Sequence, residues 1–91
     1  MAIQVSIPTP LRTLTNNEDT VELEANSVEV LITELENKYP GMKERLIDDK
    51  GAIRRFVNIY VNGEDVRFLE ELKTALKETD EVSIVPAIAG G

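Results

Sequence analysis

Phe56-Val57-Asn58-Ile59-Tyr60-Val61-Asn62-Gly63 is the stretch whose reading decides the fold. Its first six residues are dense in β-branched and aromatic side chains, which makes them the strongest strand in the chain. Asn62-Gly63 then closes a tight hairpin, because both residues tolerate positive φ. Period two sets Val57, Ile59 and Val61 on one face and Phe56, Asn58 and Tyr60 on the other. If the aliphatic set packs under a helix, Phe56 and Tyr60 stand on the open side as a partly apolar patch suited to a protein partner; the alternative is that loops or short helical turns bury them.

Toward the C-terminus, Asp65-Val66-Arg67-Phe68 reads as the short return strand of that hairpin. Leu69, Leu72 and Leu76 sit at helical spacings, so Leu69 to Lys77 is a short helix or a 3₁₀ connection. Thr79-Asp80-Glu81 turns the chain into a last strand, Val82-Ser83-Ile84-Val85, and Pro86 marks where backbone pairing stops.

Toward the N-terminus, Pro40-Gly41 ends a helix whose stripe of Val28, Leu31, Ile32, Leu35 and Tyr39 covers about three turns. Asn26 is the expected N-cap, with Glu29 three residues on as its capping-box partner and Ser27 as the alternative cap. Gly41 to Asp49 reads as a further short helical turn carrying Met42 and Leu46 inward. Before the helix, Ile3-Gln4-Val5-Ser6-Ile7 and Thr20 to Glu24 alternate as half-buried strands and suit an antiparallel pair. Pro8 through Asn17, rich in Pro, Thr and Asn, is the loop between them. The order strand, strand, helix, strand, short strand, helical turn, strand describes an α+β two-layer domain with one main helix packed across a sheet.

Composition narrows the chemistry. Ninety-one residues allow one domain, and 42% hydrophobic with 30% charged residues is ordinary globular composition, so the chain is expected to fold alone. It contains no cysteine and no histidine, which removes thiolate nucleophiles, the usual neutral-pH general base and the commonest soft and imidazole metal ligands. Seventeen acidic against ten basic residues give a net charge of −7, which disfavours nucleic acid and anionic lipid as partners. No leader pattern opens the sequence and no apolar run reaches the ~18 residues of a membrane span, so a soluble, cytoplasmic protein is expected. Five acidic doublets, Glu18-Asp19, Asp48-Asp49, Glu64-Asp65, Glu70-Glu71 and Asp80-Glu81, read as solvated surface, as do Arg54-Arg55 beside Lys50 unless they make a docking contact.

The most informative residues are the last ones, Pro86-Ala87-Ile88-Ala89-Gly90-Gly91. Small residues after the last strand divide the chain into a domain over 1–85 and a flexible tail over 86–91. Six residues reach roughly 20 Å when extended, enough to enter another protein's active site. Two closing glycines arise by chance in about one chain in 200, so the pair is suggestive. Lacking Cβ, Gly90 and Gly91 let the backbone thread a narrow channel and present the carboxylate unhindered, with Ile88 free to anchor in an apolar groove and Pro86 stiffening the root. A carboxylate is a poor acyl electrophile, so its use requires activation, for example as a mixed anhydride with AMP. With no phosphate-cradling glycine loop here, ATP and magnesium would be handled by the activating enzyme and no cofactor by this chain.

The element order and the Gly-Gly end together resemble a ubiquitin-like β-grasp protein, and more closely the MoaD/ThiS family of sulfur carriers. The resemblance rests on Val82-Ser83-Ile84-Val85-Pro86-Ala87-Ile88-Ala89-Gly90-Gly91, which places Gly91 at the carrier position, and on Arg55-Phe56-Val57-Asn58-Ile59-Tyr60-Val61-Asn62, which is more similar to carriers that feed cysteine synthesis. It implies a mixed sheet and a non-enzymatic role. An E1-like enzyme would adenylate the Gly91 carboxylate and sulfur would replace AMP, leaving a thiocarboxylate. Its implied partners are that enzyme, a pyridoxal-phosphate (PLP)-dependent cysteine synthase or another sulfur acceptor, and a metalloprotease. Tail recognition falls on Pro86, Ile88, Ala89 and Gly90, and partner contact on Phe56 and Tyr60. The other readings are the small subunit of molybdopterin synthase, a tRNA-thiolation carrier, a ubiquitin-like modifier joined to lysines, and a non-covalent binding module. Compared with the most compact carriers, Asp48 to Arg55 is an extra stretch.

Overall fold

The computed structural model describes residues 2–86. Five strands form one mixed sheet: β1 (Ile3–Ser6), β2 (Thr20–Leu23), β3 (Val57–Val61), β4 (Glu64–Asp65) and β5 (Glu81–Pro86), in the spatial order β2-β1-β5-β3-β4. β1 runs antiparallel to β2 and parallel to β5, and β3 runs antiparallel to both β5 and β4. The first and last strands thus lie side by side at the centre of the sheet. A parallel pair needs a crossover, and the connection contains α1 (Val28–Lys38) and α2 (Met42–Leu46).

Alternation decides which face is covered. Ile3 and Val5 of β1, Val21 and Leu23 of β2, Val57, Ile59 and Val61 of β3, and Val82 and Ile84 of β5 are buried together with Val28, Leu31, Ile32 and Leu35 of α1. Tyr39, Met42 and Leu46 extend this core, so the expected helical stripe and short second helix both stand. This is the expected α+β arrangement of a β-grasp domain, a mixed sheet covered by one main helix.

The helix start differs from the expected cap. Ser27 is the N-cap, its hydroxyl oxygen accepting from the Val30 N–H at 3.2 Å. Asn26 and its neighbour are committed elsewhere: the Asn26 carbonyl accepts from Leu76 N–H at 2.9 Å, and Ser27 forms an isolated antiparallel bridge with Ala75. That bridge keeps Ser27 extended (φ −155°, ψ 163°) and delays the helix by one residue, so the non-helical, capping geometry falls on Ser27. At the other end the Glu36 carboxylate accepts from Gly41 N–H at 3.1 Å and Lys43 N–H at 2.9 Å, tying α2 to α1 across a left-handed Gly41 (φ +100°).

The loop after β1 is more ordered than its composition implies. Thr9–Leu14 is a 3₁₀ segment with proline in its first turn, and the fully buried Thr15 hydroxyl donates to the Glu18 carbonyl at 2.8 Å. The extra stretch from Asp48 is likewise closed on itself. Asp48 Oδ1 accepts from the N–H groups of Lys50 and Ala52 at 2.9 and 3.0 Å, and Ile47 bridges to Ile53. These two amides, Ala52 foremost, hold the Asp48 carboxyl below its ordinary pKa. Arg54 N–H donates to the Leu46 carbonyl and Arg54 Nε to the Glu44 carbonyl, so Arg54, exposed as expected, also fastens this stretch to the end of α2.

Candidate functional site: the root of the tail and the open sheet face

β5 continues to Pro86, one residue beyond its expected end, and Pro86 pairs with Val57. The ladder's phase explains how a proline is accommodated. Asn62 N–H donates to the Glu81 carbonyl, which makes 62/81, and by alternation 60/83 and 58/85, the hydrogen-bonded pairs. Val57/Pro86 is then a non-bonded pair, and the missing N–H costs the β3 ladder nothing. The strand pair therefore holds the chain up to the point where residues 87–91 leave the described structure. Ile88, Ala89, Gly90 and Gly91, the expected recognition and carrier residues, lie outside the described residues.

On the uncovered side of the sheet, Asn58 lies beside Val85 and Tyr60 beside Ser83. Val85 is 41% exposed, while Asn58, Tyr60 and Ser83 are half-buried. Phe56 is 51% exposed, so no loop or helical turn among the described residues buries it. It is not a strand residue as expected. Val57 N–H donates to the Arg54 carbonyl at 3.1 Å, closing a turn over Arg54–Val57, and β3 begins only at Val57. Sequence reasoning missed Val85 as a member of the open face, although its place after Ser83 in an alternating strand was the available signal.

The return strand also ends early. β4 contains only Glu64 and Asp65; Val66–Phe68 is a 3₁₀ turn because Asp65 Oδ1 accepts from Arg67 N–H at 2.9 Å and Val66 is fully buried. A second 3₁₀ turn spans Glu71–Lys73. Leu76 packs inward, Leu72 is partly buried against the core, and Leu69 is 38% exposed.

No group of three or more acidic residues able to hold a metal occurs among the described residues. A cleft of about 460 Å³ between α2 and the Asp48 stretch is lined by Glu36, Glu44, Asp48 and Asp49 against Lys43 and Arg54, a charge balance that repels phosphate. No helix among the described residues is long and apolar enough to cross a membrane.

Comparison with known proteins places this geometry. The model of the ThiS family matches residues 5–91. The chain is 47% identical over 93 residues to the sulfur carrier protein CysO of Mycobacterium tuberculosis, covering all of both chains. Its structure superposes on CysO in the crystal structure of the Amycolatopsis orientalis BexX/CysO complex with a TM-score of 0.93 and 44% identity, covering 99% of this chain and 100% of that one. It is also 41% identical over 61 residues to small archaeal modifier protein 3 of Haloferax volcanii, covering 67% of this chain and 65% of that one. By the match over residues 5–91 the chain belongs to the ThiS family, and the relatives named here are carriers and a modifier rather than enzymes.

Proposed function

We propose that this chain is a sulfur carrier for cysteine biosynthesis whose reactive group is the carboxylate of Gly91. The observation that carries the reading is the identity to a sulfur carrier protein over the whole of both chains, Gly90-Gly91 included in the family match. An E1-like enzyme, supplying the site for ATP and magnesium, joins the carboxylate to AMP with loss of pyrophosphate. Hydrosulfide attacks the acyl carbon, AMP leaves, and loss of the sulfur-bound proton gives the thiocarboxylate. On a PLP-dependent synthase the thiocarboxylate sulfur attacks the β-carbon of an activated serine derivative and displaces its leaving group. The acyl group then moves from sulfur to the amino nitrogen, and a metalloprotease hydrolyses the resulting amide to free cysteine and restore the Gly91 carboxylate. The chain's lack of cysteine fits this cycle, because no side-chain thiol competes for the activated acyl carbon.

The similarity to an archaeal modifier protein favours a second reading, in which the same activated terminus is joined to lysine amines of other proteins. Intact mass spectrometry of the chain after incubation with the activating enzyme, ATP and a sulfur donor tests both. Exchange of one oxygen for sulfur at Gly91 supports the carrier. Adducts of the chain on other proteins support the modifier. An unchanged mass, with biological activity surviving loss of Gly90 and Gly91, defeats both.

A further inference from the structure

Phe68 is 83% exposed, well beyond Phe56 at 51% or Val85 at 41%. Yet the turn that carries it is held on both sides. Val66 before it is fully buried, and Leu69 N–H after it donates to the Val66 carbonyl at 2.9 Å. Between them the Arg67 guanidinium donates to Asn58 Oδ1 at 2.6 Å and to the carbonyls of Val57 and Arg54, each at 2.9 Å. The planar fork is spent on three neutral acceptors from β3 and the turn before it, which fastens the Phe68 turn to the edge of that strand. A large aromatic side chain left in water on a fixed backbone is the form an interface anchor takes, since little ordering remains to be done on binding.

Its position says which partner. Val57, whose carbonyl Arg67 holds, pairs with Pro86, so the turn bearing Phe68 is tied to the strand pair from which residues 87–91 continue. Five residues span roughly 17–18 Å at most, so an enzyme that acts on Gly91 must bring its body within that distance of Pro86. The flanking charge says what chemistry that body presents. Glu64, Glu70 and Glu71 are exposed on either side of Phe68 in sequence, on a chain of net charge −7. An apolar pocket with a basic rim complements them.

We propose that Phe68 is an anchor by which the enzyme that adenylates Gly91 grips this chain, seated in an apolar pocket rimmed by basic side chains. The proposal rests on the sulfur-carrier reading. Its test is carrier-dependent ATP–pyrophosphate exchange by a ThiS-family activating enzyme, with the full chain and its Phe68→Ala and Phe68→Leu variants. Phe68→Ala is expected to raise KM for the carrier about tenfold or more with kcat within about twofold, and Phe68→Leu to recover most of the loss. Melting temperatures of all three should agree, because an exposed side chain contributes little to the core. A KM for Phe68→Ala within about twofold of the parent chain overturns the proposal. So does a parent chain that sediments as a dimer and an Ala variant that sediments as a monomer, which would assign Phe68 to a second copy. No exchange with the unaltered chain overturns the carrier reading and this proposal together, whereas exchange that is indifferent to residue 68 overturns this proposal alone.

Discussion

The side-chain oxygen of Asn62 accepts a hydrogen bond from the backbone N–H of Glu81 at 3.0 Å, standing in for the main-chain carbonyl that the ladder would otherwise use. The same side chain donates from Nδ2 to Asp80 Oδ1 at 3.0 Å, and the residue sits at φ +51° in the left-handed region. Asn62 thereby locks the β3 hairpin to the start of β5, the strand that ends at the tail root.

Asn62→Ala should therefore lose both bonds and add a left-handed strain that asparagine tolerates better than alanine. About 1–2 kcal/mol of stability should go, the exposure of the pair keeping the figure modest. Denaturant unfolding of parent and variant measures it, and a difference below ~0.3 kcal/mol would show the turn to be held by other contacts.

Asp80 links the same turn to pH. Its Oδ2 accepts from Lys77 N–H at 2.8 Å, and this bond first, with the Asn62 amide second, holds its carboxyl below the ordinary 3.8. A carboxyl whose folded pKa is depressed contributes stability above its unfolded value and loses it as pH falls through the folded one. The Asp80 contribution should thus be intact at neutral pH and disappear below about pH 3.8. Asp80→Asn should flatten part of the acid limb of a stability–pH curve, leaving the part due to Asp48, which is depressed in the same sense. An acid limb identical in parent and variant would contradict this assignment.

The helix start supplies a sharper comparison. Ser27→Ala should cost about 1 kcal/mol because Ser27, not Asn26, caps α1. Asn26→Ala should cost much less, since its contribution to the structure is a backbone carbonyl that alanine also has. Reversal of that order in thermal unfolding would restore the Asn26 cap.

Why that residue was misassigned marks the limit of what local pattern shows. The stripe Val28, Leu31, Ile32, Leu35 and Tyr39 and the alternations in β1, β2, β3 and β5 were readable because each follows from the geometry of one element. The errors at Asn26, Phe56 and Phe68 share a different cause. Ser27 is fixed by Ala75, Val57 by a turn from Arg54, and the Phe68 turn by Arg67 reaching Asn58, contacts between separate segments that no period reveals. Asp65-Val66-Arg67-Phe68 alternates as a strand should, yet Asp65 is spent capping the turn that ends it. The mixed sheet likewise followed from the family resemblance, and its parallel β1–β5 pairing is visible only in the structure, since neither strand's residues specify it.

Deletion of Gly91 should abolish adenylation without unfolding the domain. The buried apolar core of the described residues runs from Ile3 to Ile84, so removal of the last residue subtracts nothing from it. Pyrophosphate exchange should fall to background while the melting temperature holds. A fall of roughly 4–8 °C, the shift that 1 kcal/mol produces in a domain of this size, would mean that the terminus contributes to the fold.

Association with the activating enzyme should slow as salt is added. A net charge of −7 spread over a domain with a Cα radius of gyration of 12.0 Å produces a field that favours encounter with a basic face, and that field is screened within about 10 Å at 0.1 M ionic strength. The association rate, followed by stopped flow, should fall severalfold between low and high salt while the dissociation rate changes little, because steering acts on the encounter and not on the docked contacts. Charge reversal at Glu70 and Glu71, which flank the Phe68 turn, should reduce both the rate and its salt dependence more than reversal at Glu18 and Asp19 beside β2. Equal effects at the two sites would show the charge to act as a whole and not to orient the β4 corner toward the enzyme.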